Sequence, residues 1–227
     1  MTMERTGAGF KQLGLDDLAK RQAALQAELQ RRTGLKDFSL RGSLLPEGFT
    51  PEPARLHPCL EGNLTHKWLL VNGGRSKQEL LSTVSALTAG IGSNAQFMSE
   101  SSEFTTQPES HTRELVVAPV GVLVPHPRGH YATTVEIEQA RDEKGLEPVY
   151  AETAHQILLQ HGDDLKVDDV IWMSMKPIAG RSGGPGVFGV ARGRDGLWLY
   201  GYWAGPSGDW DPEDRFAFFL PQVTKAA

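Results

Sequence analysis

Residues 115–125, LVVAPVGVLVP, form the longest apolar stretch of this 227-residue chain. A run without polar alternation suits a strand buried on both faces, so it predicts the centre of a sheet over residues 112–124. Pro119 lacks a ladder donor and Gly121 has no side chain to pack, so together they mark a bulge or bend. The same run is too short to cross a bilayer, which takes about 20 apolar residues.

Around this strand the other elements fall into groups. His66–Val71 reads as a buried strand ending at the Asn72-Gly73-Gly74 turn. Ser76 then opens a helix that runs to about Gly90, with Ser76 and Glu79 at capping-box spacing. Residues 96–106, with Phe97 and Phe104, read as a second strand. Tyr131 to Glu138 reads as a third, with Val135 and Ile137 on one face and Glu136 and Glu138 on the other. A helix is predicted from Pro148 to His161, with proline in its first turn and Gly162 beyond its end. Val170–Met175, Val187–Arg192, Leu197–Trp203 and Arg215–Leu220 read as a C-terminal antiparallel meander. Strands in runs without regular βαβ alternation predict an α+β fold. Its sheet would be mostly antiparallel, with an N-terminal helix, two further helices and the C-terminal β-meander.

The predicted N-terminal helix spans residues 16–33. Asp16 caps it and Thr33-Gly34 stops it. Leu15, Leu18, Leu25 and Leu29 fall on a narrow stripe with Gln22 at the remaining inner position, as in a helix pair. Four prolines between residues 35 and 65 then read as an extended linker. The expected organisation is an arm, residues 1–65, followed by an α+β body, residues 66–227.

Composition narrows the function classes. The apolar set (A, V, I, L, M, F, W, Y, C) is 39% of the chain and charged residues 22%, which fits a globular protein and excludes global disorder. Cys59 is the single cysteine, so no intramolecular disulfide is possible and no thiolate zinc site is expected. With no apolar leader, the expectation is a cytoplasmic protein without a membrane partner. The net charge is −5 but uneven: residues 1–41 hold eight Lys/Arg against five Asp/Glu (+3), and residues 98–169 hold five against fourteen (−9). Phosphate-driven duplex binding needs basic surface, which only the arm offers.

Several constellations carry possible chemistry. Gly180-Arg181-Ser182-Gly183-Gly184-Pro185 resembles the serine-bearing loop of trypsin-like proteases. The resemblance implies a nucleophilic Ser182 beside an oxyanion hole, with His155 as the nearest upstream base. It covers six residues, the family's aspartate before the serine is Arg181 here, and no alanine-histidine-cysteine motif precedes it. The α/β-hydrolase elbow is a poorer fit, because the glycines and Pro185 do not open a helix. Gly73-Gly74-Arg75-Ser76, between strand and helix, has the layout of an anion site but lacks a P-loop or dinucleotide fingerprint. The histidines form no metal-ligand spacing, so neither metal nor cofactor is expected.

Trp198, Tyr200 and Tyr202 alternate onto one strand face, and Trp210 follows in the acidic loop AGPSGDWDPED. Such a face is either core or a recognition platform. Because no enzyme pattern closes into nucleophile, base and orienting group, the sequence favours a non-catalytic binding or assembly protein. Its contacts would be Leu18, Leu25 and Leu29 on the arm and Trp198, Tyr200, Tyr202 and Trp210 on the body. A protein partner or homo-oligomer is the expected assembly. Two other readings are a serine hydrolase using Ser182 with His155, and single-stranded nucleic-acid binding on the aromatic strand.

Overall fold

A computed structural model describes residues 56–125 and 130–222. The predicted arm helix, with Leu18, Leu25 and Leu29, lies outside the described residues. The apolar run does form an inner strand, β3 (His111–Pro119), paired on both edges. One neighbour is β1 (His66–Asn72), antiparallel, with Trp68 opposite Leu115. The other is β10 (Arg215–Phe219), also antiparallel, with Phe218 opposite Val116. Beyond β10 come β5 (Val170–Met173), β7 (Pro185–Gly193), β8 (Gly196–Trp203) and the short β2 (Gly90–Ile91), while β6 (Ile178–Ala179) pairs with β7. Two of these pairings, β10 with β5 and β8 with β2, are parallel, so the sheet is mixed but mostly antiparallel.

This order corrects the predicted meander. β5, β7 and β8 do run as antiparallel neighbours, but β10 leaves β8 and inserts between β3 and β5. The cause is its composition: Phe216, Ala217, Phe218 and Phe219 are apolar on both faces and fully buried, which an edge position beside β8 would not provide.

Helices cover one face of the sheet. α1 (Lys77–Leu87) starts at the capping box of Ser76 and Glu79 as predicted. α2 (Ser93–Glu100) replaces the strand expected over 96–106. Ala95 and Met98 recur at helical spacing and are buried, whereas Phe97, the apparent strand residue, is 45% exposed. α5 (Thr153–His161) is the shortened form of the predicted Pro148–His161 helix and is buried almost all round. The opposite face is covered by a second layer over part of its width. That layer holds the turn Pro58–Leu60, the single-turn α3 (Val120–Leu123), α4 (Thr134–Glu143) and the two-stranded pair β4 (Ala132–Thr133) and β9 (Asp209–Trp210). α4 overturns the strand predicted over Tyr131–Glu138. Thr133 and Glu136 close a capping box that the alternation disguised, Ile137 and Ala140 face inward, and Val135 is 49% exposed. The core also reaches back to Leu60 and Leu64, which the sequence assigns to the linker.

β1 is an edge strand, and α5 dresses its free side. The Gln160 side-chain amide accepts from Val71 N–H (2.9 Å) and donates to Val71 O (2.7 Å), which mimics one residue of a further strand. His161 Nε2 lies 3.0 Å from Leu69 O and its ring stacks on Trp68. An edge treated this way no longer templates strand addition.

At the other end of the sheet, α2 approaches β8 closely over Gly201. A Cβ at this position would fall 2.8 Å from Ala95 N and 2.9 Å from Met98 Sδ. Backbone on one side of that contact cannot yield, so Gly201→Ala is expected to destabilise the protein by about 1–3 kcal/mol through overpacking. Urea unfolding of the two proteins measures this, and equal midpoints would contradict the packing of α2 on β8.

Candidate functional site

β8 directs Trp198, Tyr200 and Tyr202 to the face opposite α2, by strict strand alternation. There they stand beyond the edge of the second layer. Tyr200 is 36% exposed and Tyr202 50%, while Trp198 is half-buried. Trp198 and Tyr200 are parallel and stacked with centroids 5.8 Å apart, and the Trp198 ring rests on Gly90 of β2, where a Cβ would strike it. Tyr202 instead leans toward Trp172 of β5, 5.2 Å away. The gap between them is floored by Gly189 of β7, whose Cβ would fall 2.4 Å from the Trp172 ring. The result is one aromatic strip crossing three strands.

Trp210 does not belong to the open part of this strip, which corrects the sequence assignment. It is 1% exposed, packs against Phe216 and Trp172, and donates its indole N–H to Thr134 Oγ1 at 2.9 Å. It is the anchor that fixes the β4–β9 pair and α4 to the sheet. Around the strip, Asp195, Asp209, Asp211 and Glu213 are exposed, and Asp195 accepts from the Trp198 indole at 2.9 Å. Burial pushes the Asp214 carboxyl above its ordinary range, against the opposing hydrogen bonds from the Asp211 N–H and the Trp172 side chain.

A second constellation lies at the far end of the sheet, where β1 stops and β3 starts. Gly73 and Gly74 both have positive φ, and the loop is pressed so tightly on the segment before β3 that a Cβ on Gly73 would meet Glu109 O at 2.1 Å. The groups expected to hold an anion are engaged by the chain itself. Ser76 and Glu79 cap α1, and Gly74 N–H donates to Gln107 O at 3.1 Å. The fully buried Glu152 carboxylate accepts from Gln107 N–H at 3.0 Å and faces Gly73 N–H and Arg75. Close by, Thr153 donates to Asn72 Oδ1, and Arg113 bonds Glu147, Leu220 O and Tyr150.

Ser182 and His155 do not meet. Ser182 sits on the exposed Gly180–Gly184 turn, whereas His155 is fully buried on α5 with Nε2 3.2 Å from Ser99 Oγ. Phe104 and Phe188 flank the imidazole. Among the described residues no group of three or more histidine, cysteine or acidic side chains could hold a metal ion, and no helix is long and apolar enough to cross a membrane.

Sequence reasoning missed Trp172, because a single tryptophan in a short strand carries no periodic signal. It missed Asn72 and Arg113 as buried polar groups for the opposite reason: each looks like turn or surface material until the strand register places it inward.

Two buried titratable groups on adjacent turns of chain give opposite pH responses. Burial pushes His155 down to about 3, from 6.5 in the open chain. The unfolded chain therefore binds a proton that the folded one refuses, and stability falls as pH drops from 6.5 toward 3, by up to about 1.4 kcal/mol per unit. Burial raises Glu152, with the Gln107 and Gly73 N–H groups and Gln156 opposing. Its contribution is full at acid pH and is lost as pH rises through its folded value. In thermal melts, His155→Leu should flatten the wild-type decline between pH 6.5 and 4, and Glu152→Gln should flatten the higher-pH side. Parallel curves for all three proteins would refute these assignments.

Comparison with protein-family models, with curated proteins and with solved structures returned no match for this chain.

Proposed function

We propose that this is a non-catalytic binding or assembly protein that receives a protein segment on the Trp198–Tyr200–Tyr202 face. The carrying observation is that the second layer ends at Trp210 and leaves these aromatic side chains in water, together with the neighbouring Trp203, 47% exposed on the other side of β8. Clustered Trp and Tyr are the side chains that anchor protein contacts at low entropic cost.

The occupant that fits is the arm of a second copy. Leu18, Leu25 and Leu29 offer an apolar stripe, the +3 charge of residues 1–41 complements the rim of Asp195, Asp209, Asp211 and Glu213, and 55 residues precede the first described one. Where the described chain begins, Leu56 already packs on the core, followed by the Pro58–Leu60 turn that contacts α3. The described chain therefore begins in the layer that stops short of the strip. Base stacking is less well supported. The 5.8 Å between Trp198 and Tyr200 is below the roughly 6.8 Å needed to insert a base at 3.4 Å spacings, and the acidic rim opposes phosphate. Hydrolysis at Ser182 has no base in reach of its hydroxyl in the described hydrogen-bond network, since His155 serves Ser99.

Light scattering on the full chain tests the proposal. The wild type should dimerise, more weakly at high salt. Tyr200→Glu with Tyr202→Glu, and separately Leu18→Glu with Leu25→Glu, should each weaken association by about thirtyfold or more, the size of a hot-spot loss. Mixing the two variants should restore part of it, because each retains one intact half. A monomeric wild type, or variants that dimerise unchanged, would overturn the reading.

A further inference from the structure

The two outer edges of the main sheet are treated differently. β1 is blocked on its free side by Gln160 at Val71 and by His161 at Leu69. β8 runs for eight residues, but the two-residue β2 covers it only opposite Trp198 and Leu199. Ala89 and Gly92 donate to Leu197 O and Leu199 O, so the odd-numbered residues of β8 turn their backbone groups outward. The even-numbered ones face β7, a pattern that Ala204 continues by donating to Pro185 O. Gly201 and Trp203 are the next outward residues. Among the described residues, no backbone or side-chain group bonds to their N–H or C=O.

This stretch has none of the devices that keep a strand edge from pairing. It holds no lysine, no proline and no break in register, and Tyr200, Tyr202 and Trp203 are exposed. The chain that forms β2 leaves the edge at Gly92 and enters α2. α2 meets Gly201 on the side its Cβ would occupy, which is the sheet face and not the ladder direction.

The sequence supplies a matching occupant in residues 35–45, LKDFSLRGSLL, which directly follow the Thr33-Gly34 stop of the predicted arm helix. All four prolines of residues 35–65 fall at Pro46 or later, so every residue of this stretch keeps the N–H that a ladder needs. Phe38 and Leu40 alternate with Asp37, Ser39 and Arg41 at strand period. With Ser39 opposite Gly201, Phe38 and Leu40 fall beside Tyr200 and Tyr202 on the aromatic face. The small Ser39 side chain then falls on the side that Ala95 and Met98 crowd. Lys36 and Arg41 bring positive charge to the acidic rim.

We propose that residues 35–45 of a second copy add to β8 as a further strand, pairing with Gly201 and Trp203. The pairing rests on the reading that the arm of a second copy docks on the aromatic face. Leu18, Leu25 and Leu29 supply the face contact, and the stretch after Gly34 supplies the edge contact. Only Gly201 and Trp203 are available between the end of β2 and Ala204, so the added strand is short. Its backbone bonds fix register and direction, and the rings beside it supply contact area.

Amide exchange read residue by residue by NMR on the full chain tests this. The reference is Leu18→Glu with Leu25→Glu, which leaves residues 35–45 and β8 unaltered. In the associated wild type, the Gly201 and Trp203 N–H groups should exchange at least about tenfold more slowly than in that reference. Those of Tyr200 and Tyr202, which already face β7, should be unchanged. Ser39→Pro removes a ladder donor and should weaken association by about tenfold in light scattering, whereas Ser39→Ala should stay within about twofold. A monomeric wild type overturns both the strand addition and the reading it rests on. A wild-type dimer in which Gly201 and Trp203 exchange as in the reference overturns the strand addition alone. Protection of both amides that survives in Ser39→Pro overturns the assignment to residues 35–45 and marks another strand, such as β8 of the second copy, as the occupant.

Discussion

Two neighbouring strands, β3 and β10, are apolar on both faces, and the architecture follows from that constraint. Val116, Val117, Ala118, Phe216, Phe218 and Phe219 are all buried, and each large side chain removed from water contributes about 1.5–3 kcal/mol. The gain exists only if both faces of the sheet are covered. One face takes α1, α2 and α5. The other takes the thinner layer of α3, α4 and the β4–β9 pair, fastened by Trp210. That second layer extends only as far as the doubly apolar strands require, and β8, apolar on one face and aromatic on the other, lies past its end.

Covering the sheet with α5 has an electrostatic consequence. A helix buried almost all round usually carries apolar residues throughout. This one carries Thr153, His155, Gln156, Gln160 and His161, so each polar group must find a protein partner. Gln160 and His161 solve two problems together, since they satisfy their own groups and terminate the β1 edge. His155 finds only Ser99 and is held neutral. Glu152, just before the helix, takes the N–H groups that the Gly73 loop would otherwise present to an outside anion. The glycine loop and the buried carboxylate are thus two halves of one internal contact.

How legible this was depended on whether a local signal and a tertiary signal agreed. For β1, β3, β5, β7, β8 and α1 they agree: continuous or alternating apolar residues, a Gly-Gly turn, and the Ser76–Glu79 capping box all state the same element. At α4 they conflict. Val135 and Ile137 alternate with Glu136 and Glu138 as a strand would, yet Thr133 and Glu136 are a capping box, and burial of Ile137 with Ala140 decides for the helix. At α2 the aromatic Phe97 gives a false inward residue. The position of β10 could not be read locally, because a strand with two apolar faces states that it is central without stating which neighbours it has. For the candidate sites the same division holds. Trp198, Tyr200 and Tyr202 announce a common face by spacing alone, whereas Trp172 joins them only through the register of β5 with β7 and β8, and Asn72 and Arg113 turn inward only through the register of β1 with β3.

The aromatic face owes its form to glycine as much as to its rings. Gly90 lets Trp198 lie down over the edge strand β2, and Gly189 lets Trp172 reach toward Tyr202; a methyl group at either place would enter a ring. A strand that sought only core packing would fill those positions, since glycine in a strand interior sacrifices both side-chain contact and entropy. Here the vacant positions settle the rings against one another, Trp198 on Tyr200 and Tyr202 on Trp172, so that little rotamer freedom is left to lose when something covers them. Preorganised rings of this kind give up less entropy on association than flexible aliphatic side chains. That saving operates only in a contact made after folding, which is why the glycines and the exposed rings support the same interpretation of this face.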